Sequence, residues 1–258
     1  MRSVRTCSRG EAETTRRKYA ARFPPRKLRV RCRTDRTYLP DTRPRLSLPD
    51  LSLSGAPTRL LINIDHVATL RNARGEAFPD PVHAALACEA AGAHGIVFHL
   101  REDRRHITDR DVQRLKEAVR GKLDFELSMA DEVVQICLDT QPHLATLVPE
   151  RREELTTEGG LDVVAHRDRL TQLLPRFFDK GIEEVALFVD PEPDQIDACV
   201  AVGANAIELH TGDYANAQTT AERSAVLRRL AAASAQAHAA GLAVHAGHGL
   251  DRRNYPAF

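Results

Sequence analysis

The sequence predicts an α/β chain: a (β/α)8 barrel of the TIM type, here incomplete, with about seven strands. Three observations carry that expectation. From Thr58 onward, short β-branched runs alternate with longer Ala- and Leu-rich helical patterns, which implies a parallel sheet. The runs lack clean polar–apolar alternation, as strands covered on both faces should. Almost every run ends on reactive side chains. A barrel builds its site from the C-terminal ends of many strands, whereas an open sheet gathers it mainly at one switch point. No GxGxxG follows the first run, which counts further against a doubly wound dinucleotide fold.

The expected strands, in order, are LLINIDH (60–66), GIVFHL (95–100), LDFELS (123–128), HLATLVP (143–149), EVALFVD (184–190), AIELHTG (206–212) and LAVHAGHG (242–249). The helical stretches between them are PVHAALACEAAGA, TDRDVQRLKEAVRG, ADEVVQICLDTQ, HRDRLTQLLPRFFDKG, EPDQIDACVAVGA and TTAERSAVLRRLAAASAQAHAAG. Most end near Gly and several open with Asp, Thr or Pro, as helix C-termini and N-termini do. In the stretch ITDRD, Thr108 is the expected N-cap and Asp111 the acid of a capping box. Only DRRNYPAF follows HAGHGL, short of the roughly 30 residues of a further βα unit. The eighth strand is therefore expected to be missing, and the 58–258 catalytic domain to be C-terminally truncated. Two exposed sheet edges would then leave the chain poorly soluble or inactive.

Residues 1–57 read differently, with frequent Arg among Pro, Ser and Thr and no persistent period. This is expected to be a disordered extension. A basic arm or a transit peptide fits its composition; the reading taken is a tail without a role. At 258 residues and 42% hydrophobic the chain can bury a sizeable core. Its net charge of +1 speaks against a nucleic-acid or membrane-surface role for the whole protein. No apolar run reaches the roughly 18 residues of a membrane span. The 5 cysteines are scattered without a CxxC, so a reduced, cytoplasmic compartment is expected. Cys88, Cys137 and Cys199 fall in helical apolar patterns and read as core residues.

The chemistry sits at the strand ends. His99, Glu126 and His248 close the second, third and seventh strands and would converge on one barrel mouth. Imidazoles titrate near neutrality, and a carboxylate among apolar neighbours has its pKa raised, so the three suit repeated proton transfer. Arg71, Arg74, Arg101, Arg104 and Arg105 supply fixed positive charge for a phosphorylated substrate. TTEGG (156–160) offers hydroxyls and backbone N–H groups as an anion cradle. A bland reading stands beside each: a lone strand-end histidine is more often structural, and only several at one end reverse that. His83, His94, His143, His166 and His238 are expected to face solvent. A zinc or manganese site built from His99, His210, His248, Asp65 and Glu126 is the rival, but no HxH or HExxH supports it, so no metal is expected.

The segments NIDHVATLRNARG, HLREDRRHITDRDV, LVPERREELTTEGGLDV, IELHTGDYA and HAGHGL together closely resemble the pyridoxine 5'-phosphate synthases, in order, from about Leu60 to Asn254. The resemblance implies a (β/α)8 barrel assembled as a homo-octamer. It implies condensation of 1-deoxy-D-xylulose 5-phosphate with 3-amino-2-oxopropyl phosphate, without metal or organic cofactor. It implies His99 as general base, Glu126 as a second acid/base and His248 as proton donor. Asn63, with Arg74 and Gly249, would contact the amino-ketone phosphate. Asp65, His66, Arg101, His106 and Thr156 would hold the deoxyxylulose phosphate. The family carries a further phosphate-binding turn after HAGHGL that this sequence lacks, so a non-catalytic phosphate-ligand binder is the alternative expectation.

Overall fold

The computed structural model describes residues 58–150 and 159–258. Seven parallel strands form one curled sheet in chain order: β1 (Leu61–Asn63), β2 (Gly95–His99), β3 (Lys122–Leu127), β4 (Leu144–Leu147), β5 (Glu184–Val189), β6 (Ala206–His210) and β7 (Ala243–Gly247). The helices are α1 (Asp65–Arg74), α2 (Pro81–Ala90), α3 (Asp109–Ala118), α4 (Asp131–Thr140), α5 (Arg167–Asp179), α6 (Pro193–Ala201), α7 (Gly212–Asn216) and α8 (Thr220–Ala239). All seven expected strands form, and the fold is an incomplete TIM-like barrel. Sequential parallel pairing requires a crossover between neighbours, which the helices supply.

Parity along each strand divides the residues between two environments. Ile96, Phe98, Phe125, Leu127, Ala145, Leu147, Val185, Leu187, Ile207 and Leu209 are buried on the helix-facing side. They pack with Val112, Leu115, Val133, Leu170, Phe177, Ile196 and Leu230 from the helices. Phe98 and Phe125 stack at 4.7 Å between ring centroids across the β2–β3 pair. Cys137 and Cys199 are fully buried in this layer and Cys88 packs against it, as their apolar spacing implied. The alternate residues, His99, Asp124, Glu126, Thr146, Glu184, Glu208 and His245, project to the concave side of the curled sheet.

Caps fix where the helices start. Asp80 accepts the Val82 N–H at 3.0 Å with Pro81 at the first helical position, so α2 begins there. Thr108 and Asp111 form the expected capping box of α3. Asp111 also takes both nitrogens of Arg71, at 2.6 and 2.8 Å, while Arg71 reaches the His106 carbonyl at 3.2 Å. One buried carboxylate thus ties α1, the loop after β2 and α3 together. Two helices were not expected. α1 opens on Ile64 without a side-chain cap, and its sequence reads as a strand end followed by a loop. α7 spans only 5 residues, too few to show a period.

Candidate active site

The C-terminal ends of β2 and β3 and the loops that follow them hold the first cluster. In the β2–β3 register His99 lies beside Glu126. Asp65, at the start of α1, accepts the His99 backbone N–H at 3.0 Å. Asn63 and Asp65 bracket one another: the Asn63 amide donates to Asp65 at 2.9 Å, and the Asp65 N–H donates to the Asn63 carbonyl oxygen at 2.9 Å. His106 sits with its ring centroid 5.8 Å from that of His99 and its Nδ1 3.9 Å from Asp65. Burial holds the His106 ring below the usual imidazole range, with Asp65 partly opposing and His99 reinforcing.

Glu150, after β4, completes this cluster. It lies 3.5 Å from His99 Nε2 and 3.6 Å from Arg101. Burial pushes its carboxyl up, but His99, Arg101 and the Glu102 N–H outweigh that, leaving it below the usual range. Glu150 directly follows the fourth expected strand, and nothing in its local sequence gives it a role. Its partner His99 is some fifty residues earlier, and only the β2–β3–β4 pairing brings the two together. A cleft of about 470 Å³ opens beside the cluster, lined among others by Glu102, Ser128, Glu150, Gly160, Asp162 and Arg169.

A second cluster stands at the ends of β5, β6 and β7. His248 and His210 meet edge to face at 5.2 Å, and Phe188 lies 5.2 Å from His210 and 6.2 Å from His248. His210 Nδ1 is 3.0 Å from Asp190. Burial lowers the pKa of His248, and the neighbouring His210 lowers it further.

Between the clusters, the concave face carries a column of acids. Desolvation raises Glu126 well above the ordinary carboxyl range, and the charges of Glu208, Asp65 and Asp124 push the same way. Burial raises Glu208 to about 7 and Asp124 to about 6. Asp124 accepts the Thr146 hydroxyl at 2.9 Å, and His245 pairs with Glu184 at 3.1 Å. The Glu208 carboxyl lies over Gly247, where any Cβ would collide with it. Gly247 is therefore the residue that leaves Glu208 its place.

The raised Asp124 fixes the sign of a pH effect. Its pKa is higher folded than unfolded, so its contribution to stability is whole below about pH 4 and is lost as pH rises through about 6. Asp124→Asn keeps an oxygen for the Thr146 hydroxyl and removes that loss. Relative to the unsubstituted chain, its unfolding free energy should gain about 3 kcal/mol between pH 4 and pH 8, as read by urea titration at the two pH values. A constant difference between the two proteins would contradict the buried, protonated Asp124.

The other residues singled out in the sequence are placed as follows. Arg101 is buried beside Glu150, and His66 is exposed on the first turn of α1. Arg74, in the last turn of α1, is 55% exposed and pairs with Glu76 at 3.1 Å. Gly249 follows His248 with φ 78°. Thr156 lies outside the described residues, as do residues 1–57. The five arginines singled out in the sequence are each ion-paired. Arg104 is engaged by Asp109 and Glu132, Arg105 by Asp103, and Arg71 by Asp111. Asp103, Asp109 and Asp111, close to Arg104 and Arg105 in the sequence, are among these partners, and Arg71 joins them from α1. His83, His94, His143, His166 and His238 are all exposed, as expected.

Parallel strands whose C-terminal ends gather histidines and acids have the layout of an enzyme of the α/β-barrel class. The model of the family "Pyridoxal phosphate biosynthesis protein PdxJ" matches residues 60–258, and the chain belongs to that family. It is 67% identical over 201 residues to the pyridoxine 5'-phosphate synthase of Salinibacter ruber, covering 78% of this chain and 83% of the relative. It is 53% identical over 193 residues to that of Photobacterium profundum, covering 75% and 79%.

Proposed function

We propose that this chain condenses 1-deoxy-D-xylulose 5-phosphate with 3-amino-2-oxopropyl phosphate to pyridoxine 5'-phosphate, releasing phosphate and water. The observation that carries this is the placement of His99, Glu126 and His248 on three strand ends of one sheet, with the raised Glu126 in the same column of acids as Glu208. Attack of the amine on a ketone, loss of water, elimination of phosphate and ring closure are chained proton transfers. Each needs a group that takes a proton at one carbon or oxygen and returns one at another. His99 serves as the base, with Glu150 and Asp65 holding its surroundings. Glu126, its pKa raised by burial, gives and retakes a proton. His248, its pKa lowered, gives its proton readily. Arg101, His106, Asp65, His66 and Thr156 are assigned to the deoxyxylulose phosphate. Asn63, Arg74 and Gly249 serve the amino-ketone phosphate.

The test is an assay of the chain with both substrates, following inorganic phosphate and the pyridine chromophore. Both should appear together, and omission of either substrate should abolish both. Phosphate release without the pyridine product, or no release at all, would overturn the reading.

A further inference from the structure

The tripeptide His210-Thr211-Gly212, at the end of β6, has no part in the proton transfers described above. Its three residues make three different contacts with the segment that carries His248. His210 is buried, its Nδ1 3.0 Å from Asp190 and its ring packed edge to face on His248 at 5.2 Å. Thr211 is fully buried, and its hydroxyl donates to the carbonyls of Gly247 at 2.7 Å and His248 at 2.6 Å. Its backbone N–H donates to the Gly247 carbonyl as well, at 2.9 Å. Gly212 lies under the His210 ring, and a Cβ there would come 2.5 Å from Nε2.

His248 needs such support. Its φ is 81°, in the left-handed region that a residue with a Cβ occupies only at a cost of order 1–3 kcal/mol. Such a conformation persists where surrounding contacts over-determine it. The Thr211 hydroxyl does so on the peptide groups either side of the His248 Cα. The ring is met by Phe188 from β5 and His210 from β6. Asp190 is itself held: the Gly160 N–H and the charge of Arg229 on α8 both favour its ionised form, and His210 does so most.

We propose that Asp190, His210 and Thr211 form a positioning unit for His248: Thr211 clamps its backbone, and His210, anchored through Nδ1 by the Asp190 carboxylate, holds its ring at the barrel mouth. The unit rests on the reading of His248 as proton donor for its catalytic consequence, but not for its structural one. Carboxylate anchoring through one ring nitrogen fixes which edge of an imidazole faces its neighbour. No proton need pass along the unit, because its role is orientation.

The full chain with 13C-labelled histidine rings, titrated by NMR, tests this. The His248 resonance is assigned as the one lost in His248→Asn. In His210→Gln its midpoint should rise by several tenths of a pH unit, because the neighbouring imidazole no longer opposes the charge on His248. Thr211→Val, which keeps shape and loses the hydroxyl, should change the His248 chemical shift and roughly halve or further lower kcat. Asp190→Ala, at a side chain 46% exposed, tests the anchor without threatening the fold. It should lower kcat about 10-fold with KM for both substrates within about twofold. An unchanged His248 midpoint in His210→Gln, or an unchanged kcat in Asp190→Ala while His248→Asn is inactive, would overturn the unit. Turnover by His248→Asn itself would overturn the donor reading and leave the NMR result to judge the unit alone.

Discussion

His99→Asn should abolish turnover and leave the fold intact. The His99 side chain is buried, yet its Nε2 makes no hydrogen bond, and Glu150 stands off at 3.5 Å. The bond that ties this position to Asp65 comes from the backbone N–H and survives the substitution. Asparagine can still donate toward Glu150 but takes up no proton near neutral pH. Loss of a positioned general base costs about 10²–10⁴-fold in rate, and more where one group serves several steps. The expected result is a rate at least about 10³-fold lower, with an unfolding free energy within about 1 kcal/mol of the parent. Retained turnover would remove His99 from the base role. A collapse in stability would show that the ring is structural.

Glu126→Gln should also remove turnover, and it should stabilise the chain above neutral pH. The reason is the sign of the Glu126 shift. Desolvation and the charges of Glu208, Asp65 and Asp124 raise its pKa in the folded state. The folded chain therefore holds a proton that the unfolded chain has released above about pH 4.5, and stability falls as pH rises through the raised value. Glutamine fills the same space without that loss. A carboxylate retained for structure alone would show no gain at pH 8. A rise in melting temperature at pH 8, smaller at pH 5, together with a rate reduced by at least about 10²-fold, would mark Glu126 as a group kept for chemistry at the expense of stability. Turnover near the parental rate, or a loss of stability at pH 8, would refute this.

Much of this arrangement was legible in the sequence, for identifiable reasons. The strands carry β-branched runs bounded by Gly, Asp and Pro, and the Thr108–Asp111 box is local, so each reads directly from a few residues. Strand parity alone sets His99 and Phe98 on opposite faces of β2. α1 escaped because Asp65 and His66 read as the end of a strand, and because polar Thr69, Arg71, Asn72 and Arg74 leave it little apolar stripe. The column of Asp124, Glu126 and Glu208 was hidden for another reason. Asp124 and Glu126 share one face of β3 by parity, but Glu208 sits alone in its run, and only the curvature of the sheet sets it facing them. The partners of the arginines were not legible, because pairing is decided by geometry. Arg105 and Asp103 are two residues apart and paired, whereas Arg71 finds Asp111 across forty residues.

The Asp111 carboxylate has a consequence for motion. It accepts from Thr108 at the head of α3 and from both nitrogens of Arg71 on α1, and Arg71 in turn holds the His106 carbonyl. Neither helix can fray at this point without stranding a buried charge, at a cost of a few kcal/mol. The loop that carries Arg101 and His106 is thereby excluded from the lowest-energy openings of the chain. Helix and loop open together or not at all, so these residues form one cooperative unit whose order is set from outside the mouth it borders.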